Sequence, residues 1–136
     1  MKKKTLLFLS IVLLSGSTTL FSSCDKDTNS YVDVYVVDEN NPNKCCPNAY
    51  VKIDIDNSYV KQEGYTDAGG HFKTSFQDPA IFDVYVEYEG GCYGEEYDPA
   101  IYKCYRVGTN TVRLKEGETV NVTVQVSSDI IREHRQ

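Results

Sequence analysis

An all-β fold, a single seven-stranded antiparallel β-sandwich, is what this sequence predicts, and three observations predict it. Over residues 31–127 apolar and polar side chains alternate with period two. Turn-forming residues interrupt that alternation about every ten positions, and no long stretch repeats at the helical spacing of three and four. One-sided alternation of this kind belongs to antiparallel sheets with one wet face. A chain of 136 residues has room for one such domain and a real core.

The strands follow in order. Val32, Val34 and Val36 share one face of the first, residues 31–37. Ala49, Val51, Ile53 and Ile55 do so in the second, opposite Tyr50, Lys52, Asp54 and Asp56. Phe72, Thr74 and Phe76 come next, then Phe82, Val84, Val86 and Tyr88 opposite Asp83, Tyr85 and Glu87. Val112 and Leu114 precede the closing run Val120, Val122, Val124 and Val126, whose β-branched side chains suit a pleated surface. Residues 128–136 carry little apolar pattern and read as a frayed tail or a single helical turn.

The segment ahead of the sandwich has a different character. Residues 1–4 are cationic, residues 6–14 (LLFLSIVLL) are an apolar run, and residues 15–23 are small and polar, the three parts of a cleaved signal peptide. A nine-residue helix spans about 14 Å, about half of a bilayer core, so the run is too short for a retained anchor. Leu20-Phe21-Ser22-Ser23-Cys24 resembles a lipobox, in which the cysteine thiolate receives diacylglycerol and becomes the first mature residue. Residues 24–30 are then a short tether that reaches at most about 20 Å. This reading places the protein in the cell envelope, lipid-anchored. Asp25 after the cysteine favours different membranes in different bacterial lineages, and the outer membrane is the preferred site.

Charge excludes one class of partner. The chain has 14 basic and 20 acidic residues, a formal charge of −6. Without Lys2, Lys3 and Lys4 the balance is 11 against 20, or about −9. Such a field repels nucleic acid and does not bind anionic lipid, so membrane attachment has to run through the lipid on Cys24.

The stretch Thr66-Asp67-Ala68-Gly69-Gly70-His71-Phe72 contains T-D-x-x-G-x-F, and Pro47-Asn48-Ala49-Tyr50-Val51 reads P-x-A-x-V. With the closing stretch 115–126 (KEGETVNVTVQV), these resemble carboxypeptidase-regulatory-like domains of the prealbumin (transthyretin-like) type. The resemblance covers about residues 31–127 and implies the seven-stranded sandwich, with little to say about function. The motif has readable physics. Asp67 can close an Asx turn, the glycines admit positive φ, and Phe72 enters the core.

Apart from Cys24, the cysteines are Cys45, Cys46, Cys92 and Cys104, an even set in an exported chain, so two disulfides are expected. A ring closing adjacent Cys45 and Cys46 is strained, which favours cross-pairing of that loop with Cys92 and Cys104. A Cys₄ zinc site needs two closely spaced pairs, and here one pair is adjacent and the other twelve apart. No metal or cofactor is expected.

Nor does the chain carry a catalytic constellation. G-x-S-x-G and H-E-x-x-H are absent, His71 falls in a turn and His134 in the tail. Asp54-Ile55-Asp56-Asn57 begins like a calcium loop, but the later glycine and twelfth-position glutamate are missing. Tyrosine is the enriched residue, at 11 with no Trp. Tyr35, Tyr50 and Tyr85 fall on polar faces, while Tyr93, Tyr97, Tyr102 and Tyr105 crowd residues 89–106 and form a possible binding surface. The sequence thus implies a non-enzymatic binding or structural module of unknown partner, with a carbohydrate-binding accessory lipoprotein of glycan uptake or adhesion as the alternative.

Overall fold

The computed structural model describes residues 28–90, 98 and 101–133. The expected signal peptide, Cys24, Cys92, Tyr93, Tyr97 and His134 lie outside the described residues. Among the described residues the chain forms nine strands and no helix. They are β1 (Ser30–Asp38), β2 (Asn41–Cys45), β3 (Tyr50–Asp54), β4 (Lys61–Tyr65) and β5 (His71–Phe76). After these come β6 (Ile81–Gly90), β7 (Tyr102–Arg113), β8 (Thr119–Val126) and β9 (Ser128–Glu133). One sheet is built on β1, with β8 along one edge and β5 then β2 along the other; the second runs β4-β3-β6-β7-β9.

The alternation read from the sequence is the alternation that packs. Val32, Val34 and Val36 of β1 meet Val51 and Ile53 of β3 and Val84 and Val86 of β6, all at most 1% exposed. Val122, Val124 and Val126 complete the layer from β8. At one end Phe76 and Phe82 stack across the two sheets with centroids 4.0 Å apart. Residues on the opposite parity face outward. A one-residue slip would exchange the two sets, so the register is strongly fixed.

The turn joining β4 to β5 follows the expected Asx geometry. Asp67 Oδ1 accepts from the N–H groups of Gly69 and His71, each at 2.9 Å. Those bonds, that from His71 foremost, hold the Asp67 carboxyl below its ordinary value. Gly70 sits at φ +78°, and a Cβ there would lie 2.7 Å from Cys45 Cβ.

The structure departs from the sequence reading in four ways. It has nine described strands where seven were expected. The pair β1–β8 is parallel, from Tyr31 opposite Thr119 to Asp38 opposite Val126, so the sheet is not wholly antiparallel. Side-chain alternation is the same in both orientations and carries no information about direction. Third, residues 128–133 are not a frayed tail but strand β9, which extends the sandwich beyond residue 127. They pair with β7 from Ser128 opposite Val107 to Glu133 opposite Tyr102. Ladder pairing with β7 and the bond from Arg132 to Glu87 hold this strand. Last, β2 and β4 are edge strands, polar on both faces, and gave no alternation to read.

Candidate functional site

On the outer face of the five-stranded sheet, alternation places one aromatic or charged group after another across neighbouring strands. β4 supplies Tyr65, β3 Tyr50, β6 Tyr85 and Glu87, β7 Tyr105 and β9 Arg132. Tyr50 stands directly opposite Tyr65 on one side and Glu87 on the other. The two rings meet edge to face with centroids 5.8 Å apart, a favourable aromatic geometry. Arg132 donates from Nη1 to Glu87 Oε2 at 2.9 Å and lays its guanidinium over the Tyr105 ring, 5.0 Å from the centroid. A shallow cavity of about 250 Å³ opens among Asn48, Tyr50, Tyr65, Glu89 and Tyr105, with the Glu87–Arg132 pair in its wall.

The ionisation states follow from these bonds. The Arg132 guanidinium beside Glu87 holds that carboxyl below its usual value, aided by the Tyr85 hydroxyl, which donates to Glu87 Oε1 at 2.6 Å. Burial, and then the neighbouring carboxylate, raise the Tyr85 phenol. Tyr50 is raised in the same order of causes, its hydroxyl donating to Glu63 Oε2 at 3.1 Å. The face is therefore phenol and carboxylate, not phenolate and acid, at neutral pH.

Four carboxylates of this face each have a cation at hand. Lys52 lies 2.9 Å from Asp54, Lys61 3.4 Å from Glu63, Lys103 3.1 Å from Glu89, and Arg132 binds Glu87. In a chain of strong negative charge, this face is nearly balanced. Chemically it offers flat rings, fixed donors and acceptors, and little net field. That combination suits a neutral ligand with hydroxyl groups more than an ion.

The predicted site residues are divided by the fold. Tyr102 and Tyr105 both lie on β7, but three positions apart, so they occupy opposite faces and do not form one surface. Tyr105 joins Tyr50, Tyr65 and Tyr85, whereas Tyr102 shares the parity of buried Cys104 and Arg106. Tyr35 belongs to the other sheet, where its ring stacks on His71 at 4.7 Å. His71 opens β5 half-buried, with Nδ1 2.8 Å from Asp33 Oδ1, so it is not the solvated turn residue the sequence suggested. Tyr65 and Arg132 were missed, since Tyr65 lies on a strand without alternation and Arg132 in the supposed tail. Asp54 is paired with Lys52, and Asn57 takes φ +59° in a tight turn, so the calcium-like segment is an ordinary strand end. Among the described residues no three His, Cys, Asp or Glu side chains gather as metal ligands.

The expected cross-pairing of Cys45 and Cys46 is corrected. Both are free thiols, and it is Cys104 that is disulfide-bonded. Cys46 is fully buried in the core, its N–H donating to Val36 O at 2.9 Å and its carbonyl accepting from the Thr66 hydroxyl at 2.6 Å. Cys45 packs instead against the turn, with Sγ 3.8 Å from Ala68 O. Burial above all, with Asp38 nearby, pushes the Cys46 thiol up to about 11. It is protonated and unreactive at neutral pH, a core residue in function.

No protein-family model matches the chain, and no curated protein does.

Proposed function

We propose that this chain is an exported lipoprotein of the cell envelope, held at the outer membrane by acyl chains on Cys24. Its prealbumin-like sandwich, of the carboxypeptidase-regulatory-like kind, acts as a non-enzymatic binding or structural module. The observation that carries this reading is Leu20-Phe21-Ser22-Ser23-Cys24, set six residues before the sandwich begins at Ser30. The Asx turn at Asp67 and the paired strands around it support the choice of domain. A Cys24→Ala protein is expected to leave the membrane fraction on carbonate washing, because lipidation is the attachment the charge balance leaves available. Full retention after washing overturns the anchor.

A second reading names the ligand as a neutral glycan bound at the tyrosine face, and the near balance of charge there favours it. Tyr65, 63% exposed, offers a ring for stacking beside the fixed carboxylates and Asn48. Tyr65→Ala or Tyr105→Ala is expected to weaken binding on a glycan array about tenfold, equivalent to about 1.4 kcal/mol of stacking. Tyr35→Ala on the other sheet leaves binding unchanged. No binding by the parent domain to any neutral glycan sinks this reading and leaves the anchor untouched.

A further inference from the structure

Among the described residues, six large apolar or aromatic side chains are conspicuously exposed: Tyr31, Tyr59, Val60, Tyr65, Ile81 and Ile101. They are unevenly placed. Tyr31 is the second residue of β1, Tyr59 and Val60 lie in the turn between β3 and β4, and Ile81 opens β6. The pairing register brings all four to one end of the sandwich. There β1 and β6 begin, β3 and β5 finish, and Asp54 stands opposite both Lys61 and Asp83. Tyr59 is fully exposed, with Val60 46% and Ile81 50% exposed. The same end holds a cavity of about 420 Å³ whose apolar wall is Phe76, Phe82, Ile55 and Val60, with Asn29 at its rim.

It is also the end at which the chain comes in from Cys24. Five residues separate Cys24 from Ser30, and the six steps span at most about 20 Å when extended, so a lipid on Cys24 keeps this end within that distance of the bilayer. We propose that the end bearing Tyr31, Tyr59, Val60 and Ile81 rests on the bilayer interface. The proposal depends on the Cys24 anchor of the preceding reading. Tyrosine and short aliphatic side chains suit the headgroup level, and a short tether supplies the effective concentration that makes a weak contact persist. Charge does not draw this end to anionic lipid, since Asp54, Asp56, Asp78, Asp83, Glu116 and Glu118 outnumber Lys61, Arg113 and Lys115 there. The matching lipid is therefore zwitterionic. The consequence is orientation. Tyr50 begins β3, Tyr65 ends β4 and Tyr105 lies near the start of β7, so the tyrosine cavity sits in the half of the sheet away from the membrane.

The chain has no Trp, so a single introduced indole is a clean reporter. The native lipoprotein is prepared as Tyr59→Trp and, separately, Tyr65→Trp, and each is reconstituted into phosphatidylcholine vesicles. Both sites are exposed, and β-sheet circular dichroism confirms that each variant is folded. Bromine-labelled acyl chains are expected to quench the Tyr59→Trp emission by at least about half, with a blue shift, for a side chain at the acyl boundary. Emission from the Tyr65→Trp protein stays unquenched. Equal quenching of the two, or quenching of neither while the protein floats with the vesicles, overturns the orientation but not the anchor. Failure to float removes the anchor, and this proposal with it.

Discussion

Replacing Asp38 with Ala is expected to lower the free energy of unfolding by about 3 kcal/mol, read as a shift in the midpoint of urea denaturation at pH 7. Arg106 faces inward from β7 and is 6% exposed. Its Nη1 donates to Asp38 Oδ1 over 2.6 Å, tying the end of β1 in one sheet to β7 in the other. Removing the carboxylate takes away a counter-charge 2.6 Å from a guanidinium that water barely reaches. An Arg106→Met change costs less, because the unbranched apolar side chain fills most of the space and Asp38 stands nearer to solvent. The sign with pH is fixed by the direction of the Asp38 shift. The Arg106 guanidinium, and then the Asn40 N–H at 2.8 Å, hold its carboxyl below the ordinary 3.8. A carboxyl depressed in the folded state contributes stability above its unfolded pKa, lost as pH falls through the folded value. The difference between parent and Asp38→Ala is therefore full at neutral pH and narrows below about pH 4. A difference that stays constant down to pH 2 contradicts the ion pair as its cause.

Gly108→Ala is expected to cost about 2–3 kcal/mol in the same measurement, by overpacking. The two sheets approach each other closely at this residue of β7. A Cβ would lie 2.3 Å from Gln125 O and 2.8 Å from Val124 Cγ1, and the first of these is backbone that cannot turn aside. Around it, Asn110 Nδ2 donates to Thr123 O at 2.9 Å and the Ser127 N–H to Val107 O at 3.0 Å. The first of these bonds occupies part of the free edge of β8, which would otherwise offer unpaired backbone groups to another chain. The Ala variant should thus also aggregate faster than the parent under native conditions. Unchanged stability would mean that β7 and β8 can separate freely.

What the sequence made legible was the buried half of the molecule. Val32, Val34 and Val36, and again Val122, Val124 and Val126, announce themselves because one face of each strand meets the core and the other meets water. Where both faces are wet, the signal vanishes. That is why β2 (NPNKC) and β4 (KQEGY) were invisible. SDIIRE read as a tail because its own sequence does not alternate, although it lies along β7 as β9. Strand direction leaves no mark on alternation either, hence the unforeseen parallel pair β1–β8. The tyrosine face was half legible. Tyr50 and Tyr85 could be assigned to a polar surface, but their grouping with Tyr65, Tyr105 and Arg132 depends on strand order, which local pattern does not encode. The cysteines misled for a related reason. Counting thiols in an exported chain favours pairing, yet neighbouring residues on extended backbone point to opposite sides, and Cys46 was drawn into the core while Cys45 was not.

In the proposed reading, the two ends of the sandwich give the module a membrane side and a medium side. Apolar side chains cluster where the tether arrives, and the balanced, tyrosine-lined cavity opens at the far half of the larger sheet. The proposed orientation depends on lipidation of Cys24. The most direct measurement is the mass of the N-terminal tryptic peptide from detergent-extracted membranes. The expected result is a peptide beginning at Cys24, residues 24–26, carrying diacylglycerol on the thiol. Recovery of residues 5–26 as a single unmodified peptide would contradict the anchor.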